Sequence, residues 1–190
     1  IGGAAVALGV RKIRLTGGEP LVRRGLLDLC RSLSALPGLS ELCLTTNGAQ
    51  LARFAAPLRA AGVSRLNISL DTLKPEKFAY LTRRGNLQDT LDGIAAAEAA
   101  DFDRLKLNCV LMGGVNDDEI GDFLRLTEEH PWEVRFIELM PMGECSRWPR
   151  ERFVSGDVVL EAVPELERVG EGGVAELYSA PGFLGRVGLI

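Results

Sequence analysis

The sequence predicts an α/β protein built on a parallel sheet, and three observations carry that reading. Five short apolar or β-branched runs recur along the chain, at Lys12–Thr16, Glu41–Thr45, Arg65–Leu70, Lys106–Met112 and Val134–Leu139. Segments with apolar residues at helical spacing separate them. Glycine, proline and asparagine punctuate the joins. Alternating strand and helix implies right-handed crossovers and hence parallel pairing. The repeat is architectural; no sequence repeat accompanies it.

Taken in order, Ile1 to Val10 is apolar but has neither a basic leader nor a cleavage pattern. It reads as the last turns of a helix rather than a signal peptide. After the first strand, Leu26, Cys30 and Leu33 mark a helix that Pro37-Gly38 stops. After the second, Asn47-Gly48 predicts a turn, and Leu51, Ala55 and Leu58 a helix. Pro75 suits a helix start, although Lys74 before it is a poor cap. Leu87, Leu91 and Ile94 give the next helical face. Asn116 with Glu119 three residues on has the form of a capping box, opening the helix of Ile120, Phe123 and Leu124. The single histidine, His130, precedes Pro131 and is read as a capping or exposed residue. Beyond Gly143 the pattern loosens. Arg147–Arg152 reads as a charged loop, Ser155–Val163 as a short helix opened by Ser155, and Leu166–Ile190 as antiparallel strands. No linker marks a domain boundary.

The bulk numbers narrow the function. A chain of 190 residues, 46% hydrophobic and 25% charged, suits one soluble domain with a substantial core. A net charge of −4 argues against broad nucleic-acid or anionic-membrane surfaces, so an anionic ligand needs a local basic cluster. No apolar run approaches the ~20 residues a membrane helix requires. Cys30, Cys43, Cys109 and Cys145 form no CxxC pair. Cys43 and Cys109 sit in apolar strands as buried thiols, which suits a reducing cytoplasm.

The polar residues that a simple sheet would not need cluster at strand ends. Thr16, Gly17, Gly18 and Glu19 end the first strand, and Thr45, Thr46, Asn47 and Gly48 the second. Asn67, Ser69 and Asp71 alternate along the third, Lys106 and Asn108 share a face of the fourth, and Arg135 lies in the fifth. Carboxyl ends of parallel strands are where such folds hold ligands. The glycines permit close approach of a ligand to backbone, and Glu19 offers an acceptor to an ammonium group. Hydroxyls at Thr45 and Ser69 suit ribose or carboxylate oxygens; Arg14, Lys106 and Arg135 suit a polyanion such as a triphosphate. There is no GxxxxGK[ST] loop. Taken singly, each feature has a plain reading: a tight turn at Gly-Gly-Glu-Pro, a helix cap at Ser-Leu-Asp, a core filler at Met140, and solvated faces at Arg23-Arg24 and Arg83-Arg84.

Together the residues resemble the radical S-adenosylmethionine superfamily, and within it the GTP 3',8-cyclase family of molybdenum cofactor (molybdopterin) biosynthesis. The resemblance rests on IRLTGGEPLVRR from Ile13, LTTNG from Leu44, NISLDTLKPEKF from Asn67, KLNCVLMGGVND from Lys106 and RFIELMPMG from Arg135. SGDVV from Ser155 and GRVGLI from Gly185 continue it. GGEP is a superfamily signal, whereas RFIELMPMG with NISLDTL is far more specific.

The resemblance implies an incomplete (β/α)6 barrel over 1–145, with the start of a C-terminal extension over 146–190. It implies that Gly17, Gly18, Glu19, Ser69 and Met140 hold S-adenosylmethionine, and that Arg14, Thr45, Lys106 and Arg135 contact GTP. In such enzymes a [4Fe-4S] cluster reduces S-adenosylmethionine, the radical formed takes the ribose 3' hydrogen of GTP, and C3' joins C8 of guanine. The resemblance also implies a homodimer. Neither of the family's two cluster-binding cysteine motifs occurs in the chain, so it reads as the middle of such an enzyme, inactive alone, with no metal ligands. No residue is singled out as catalytic. The alternatives are another radical enzyme of the superfamily such as a peptide maturase, a phosphate-binding barrel enzyme, and a non-catalytic nucleotide-binding module.

Overall fold

The structure is a computed structural model describing residues 1–190. In chain order its elements are α1 (Gly2–Ala7), β1 (Lys12–Leu15), α2 (Leu26–Ser34), β2 (Glu41–Thr46), α3 (Leu51–Ala60), β3 (Arg65–Ser69) and α4 (Pro75–Thr82). Then follow α5 (Leu87–Ala99), β4 (Arg104–Leu111), α6 (Ile120–Glu129), β5 (Glu133–Glu138), α7 (Asp157–Ala162), β6 (Glu167–Gly172), β7 (Ala175–Ser179) and β8 (Arg186–Leu189). All five sequence-predicted strands exist within two residues of the expected ends, and every predicted helix exists, although the first stops at Ala7 rather than running on to Val10. The chain forms two compact units, one of Ile1–Ser69 with Gly85–Leu105, the other of Leu70–Arg84 with Lys106–Ile190.

In the first unit β1, β2 and β3 pair in parallel, Ile13 beside Leu42 and Leu44 beside Leu66. Alternation sends Leu42, Leu44, Leu66 and Ile68 to one face, where all are buried. Buried Leu26 and Cys30 of α2, Leu51, Ala55 and Leu58 of α3, and Leu87, Ile94 and Ala97 of α5 complete the core. Each large aliphatic side chain so buried contributes about 1.5–3 kcal/mol. The α3 and α5 helices meet closely because Gly93 has no side chain: a Cβ there would stand 2.2 Å from the Gly48 carbonyl oxygen.

The second unit carries the strand order β4-β5-β8-β7-β6. β4, β5 and β8 are parallel, while β7 is antiparallel to both β8 and β6. Its apolar face holds Leu107, Cys109, Val134, Phe136 and Val187, against which α6 sets Phe123 and Leu124; Phe123 meets Phe136 edge-on at 6.0 Å. His130 ends α6 and stacks on Trp132 at 3.8 Å, so its place is the capping one expected. Strand pairing is thus mostly parallel with a short antiparallel end, and the sheet is not closed.

Two expectations change. Gly185–Ile190 does not belong only to an antiparallel extension: β8 runs parallel beside β5, Arg135 opposite Gly188. Its glycines admit this, since Gly185 sits where a Cβ would stand 2.1 Å from the Trp132 carbonyl oxygen. The capping box at Asn116 and Glu119 is also absent, because both side chains serve longer-range partners. Asn116 Oδ1 accepts from the Met112 N–H at 2.8 Å, and its Nδ2 donates to the carbonyls of Asp71 and Val110 at 2.7 and 2.8 Å. Glu119, fully buried, accepts from the Thr72 hydroxyl and the Leu73 N–H and pairs with Lys77 at 3.0 Å.

Candidate active site

In the first unit, register places the predicted polar residues on one face. Arg14 lies opposite Cys43, and Thr45 opposite Asn67. Parallel partners in register point the same way, and residues two apart share a face. Arg14, Thr45, Asn67 and Ser69 therefore stand on one side of the sheet, opposite the helices, with Lys12, Glu41 and Arg65. Glu41 pairs with Lys12 and Arg65, each at 3.0 Å. Burial pushes the Glu41 carboxyl up, but the Lys12 hydrogen bond and the neighbouring cations outweigh it and hold it below its ordinary range. Arg14 and Ser69 are exposed and Thr45 half-buried, so all three are accessible to a ligand.

The strand ends of this unit are tied by Glu19. Its Oε1 accepts from the Leu21 N–H at 2.9 Å and the Thr46 hydroxyl at 2.8 Å, and its Oε2 from the Asn47 N–H at 2.8 Å. Thr46 Oγ1 in turn accepts from the Gly48 N–H at 3.1 Å. The carboxylate thus clamps the turn after β1 to the turn after β2. A carboxylate offers about four acceptor positions, so one stays available for a ligand donor. Beside it, Gly17 and Gly18 are exposed, and a Cβ built on either meets no atom within 4 Å. Gly17 has a φ of +155°, a conformation that side chains resist. This is a cradle of bare backbone next to an acceptor.

The second unit holds the other basic residues in a buried cluster. Lys106 and Arg135 are only 7% and 6% exposed, and both donate to the same oxygen, Oε1 of Glu133, at 2.6 and 2.5 Å. Register explains the meeting: Lys106 lies opposite Glu133, and Asn108 opposite Arg135. Burial would raise the Glu133 carboxyl, yet the Lys106 hydrogen bond and the charges of Arg135 and Lys106 keep it below its ordinary range. Arg135 also donates to the Gly172 carbonyl at 2.8 Å. On the same face of β4, Asn108 Oδ1 is buried with no hydrogen-bond partner. Two buried cations and one buried carboxylate thus meet on this face. Met140 lies past the end of β5 and is 59% exposed.

The sequence put Asn67, Ser69 and Asp71 on one face of the third strand and Lys106 with Asn108 on one face of the fourth, and it grouped Arg14, Lys106 and Arg135 as cations suited to one polyanion. It missed Glu133, Thr46 and Asn47 as the partners that hold the predicted residues. Their only sequence signal was position: Glu133 opens the fifth strand two residues before Arg135, and Thr46-Asn47 ends the second. No group of three or more His, Cys, Asp or Glu residues is placed to hold a metal ion. All four cysteines are free, Cys30, Cys43 and Cys109 of them buried.

A profile of the Radical SAM superfamily matches residues 3–127. The chain is 53% identical, over 98% of its length, to a GTP 3',8-cyclase of Peptoclostridium acidaminophilum, of which it covers 59%. It is 58% identical over 84% of its length to the GTP 3',8-cyclase of Pseudomonas syringae pv. syringae, of which it covers 48%. The chain thus spans between about half and three-fifths of the curated relatives it matches. Among solved structures, a domain of pyruvate-formate lyase-activating enzyme from Bacteroides vulgatus superposes with a TM-score of 0.62 at 17% identity, over 80% of this chain and 90% of that one. Coproporphyrinogen III oxidase from Escherichia coli gives 0.62 at 13% identity, over 90% of this chain and 44% of that one. Those likenesses establish the fold. With the profile covering well over half of the residues, the chain belongs to the Radical SAM superfamily.

Proposed function

We propose that this chain is the central part of a GTP 3',8-cyclase, which converts GTP to (8S)-3',8-cyclo-7,8-dihydroguanosine 5'-triphosphate in molybdenum cofactor biosynthesis. The observation that carries the reading is the 53% identity running through 98% of the chain to a relative of that name. The polar sheet faces support it. Arg14 and Thr45, with Lys106 and Arg135, are the GTP-binding residues of this proposal. The paired Lys106 and Arg135 side chains suit the triphosphate.

The residues fit S-adenosylmethionine. Gly17 and Gly18 offer open backbone, Glu19 retains an acceptor for the ammonium group, and Ser69 and Met140 are exposed for contact. When bound, that cofactor supplies the adenosyl group with which radical chemistry on the ribose begins. The chain's own residues bind and orient the two nucleotides. The residues do not fit an iron–sulfur cluster, since no suitable donor group exists among them. Reconstituted anaerobically, this 190-residue chain is expected to hold no stoichiometric iron or sulfide; a full cluster's worth would overturn that part.

Calorimetry with GTP, S-adenosylmethionine and a cysteine-rich peptide tests the assignment. GTP binding with no peptide binding supports the cyclase; the reverse would favour a peptide maturase. A homodimer and a cytoplasmic location complete the proposal. Sedimentation giving the mass of one chain would remove the first. The free cysteines support the second, and no helix is long and apolar enough to cross a membrane.

A further inference from the structure

Glu133 is not among the proposed ligand contacts, yet its side chain touches both buried cations. Oε1 receives Lys106 Nζ and Arg135 Nε together, with Glu133 4% exposed. Without it the two cations would repel in a poorly solvated place. Arg135 is held from two further sides. Its guanidinium donates to the Gly172 carbonyl at the end of β6, and its stem lies over Gly188 of β8, where a Cβ would stand 3.0 Å from Arg135 Cγ. A Cβ on Gly172 would likewise stand 3.1 Å from the guanidinium.

We propose that Glu133 is a positioning residue for anion binding: it holds Lys106 and Arg135 as a preset pair, aided by the Gly172 carbonyl and the bare Gly188, so that they take a polyphosphate together. This rests on the triphosphate reading of Lys106 and Arg135. The carboxylate brings the two cationic groups to one oxygen, side by side. It also orders both side chains before the ligand arrives, which lowers the entropy lost on binding. Neither Lys106 nor Arg135 has to be recruited from solvent.

The test measures binding of GTP and of inorganic tripolyphosphate by calorimetry in the wild-type chain and in Glu133→Gln, which keeps shape and removes charge. A Glu133→Asp variant and a Lys106→Met/Arg135→Met background with and without Glu133→Gln complete the set. Thermal melting confirms that each variant is folded. The expected result is a loss of tripolyphosphate and GTP affinity of about tenfold or more in Glu133→Gln, and partial recovery in Glu133→Asp. In the double-methionine background Glu133→Gln should cost nothing further, since Glu133 then has no cation to position. A Glu133→Gln effect of equal size in that background would show a merely structural role and overturn the proposal, as would unchanged affinity in Glu133→Gln. If Glu133→Gln does not fold, Gly188→Ala, which crowds the Arg135 stem, is read in the same way. Wild-type binding of tripolyphosphate but not GTP would sink the nucleotide reading and leave Glu133 decided by the polyphosphate data. Binding of neither would sink both.

Discussion

Glu19 shows how one residue can tie two strand ends and still keep an acceptor position open. Three of its acceptor positions go to Leu21, Thr46 and Asn47, joining two strand ends that lie far apart in sequence. Glu19→Gln turns one acceptor oxygen into a donor facing other donors. The expected cost is about 1–3 kcal/mol of folding stability, visible in the urea midpoint. Arg14 is the contrasting case, exposed and carrying little of the core. Arg14→Ala should leave the melting temperature unchanged and weaken GTP binding about tenfold or more, the worth of a charge-assisted hydrogen bond. Calorimetry beside a melting curve separates the two outcomes. The Gly-Gly-Glu-Pro motif predicted the turn that ends the first strand, but nothing local named Thr46 and Asn47 as the partners that fix Glu19.

At the scale of elements, packing is decided by a few positions with no room to spare. Gly93 lets α5 lie against the Gly48 turn, with the missing Cβ 2.2 Å from a carbonyl oxygen. Gly93→Ala, although alanine is the better helix former, should destabilise by about 3 kcal/mol, because overpacking outweighs helix propensity. Asn116 ties the turn after β4 to the Asp71 and Val110 carbonyls. Asn116→Ala leaves buried backbone groups unpaired and should cost about 2–3 kcal/mol, again measured by urea denaturation. The helices themselves were legible because apolar spacing is a local property. The capping box failed because Asn116 and Glu119 found stronger partners across the fold than at their own helix end. Likewise β8 looked like an antiparallel tail, whereas its small residues admit it beside β5.

For the whole molecule, the carboxylates set the acid limit of stability. Hydrogen bonds from Lys74 and Lys77 bring Asp118 down to about 2 from an ordinary 3.8. Glu41 and Glu133 are also held low by their cationic partners against the opposing effect of burial. A depressed carboxyl adds stability that is complete above its unfolded value and is lost as pH falls through its folded one. Asp71 runs the other way. Burial raises it, despite the hydrogen bond from Val110, so its contribution is present at low pH and is lost as pH rises through its folded value. Three depressed groups against one raised group predict a urea midpoint that declines as pH drops from about 4.5 towards 2. Lys74→Met should flatten the lowest part of that decline only slightly, since Asp118 is half-exposed and its pairs are screened. A midpoint constant over that range would contradict the assignment.

Element type and order were determined by the sequence alone, along with the polar turns that follow the first two strands, because periodicity, turn chemistry and alternation act over a few neighbouring residues. Which strands lie beside which, and therefore that Lys106, Glu133 and Arg135 meet at one oxygen, was decided only in the folded chain. Register between distant strands is set by the summed packing of whole faces, and no local pattern around Lys106 contains the identity of a residue on the next strand.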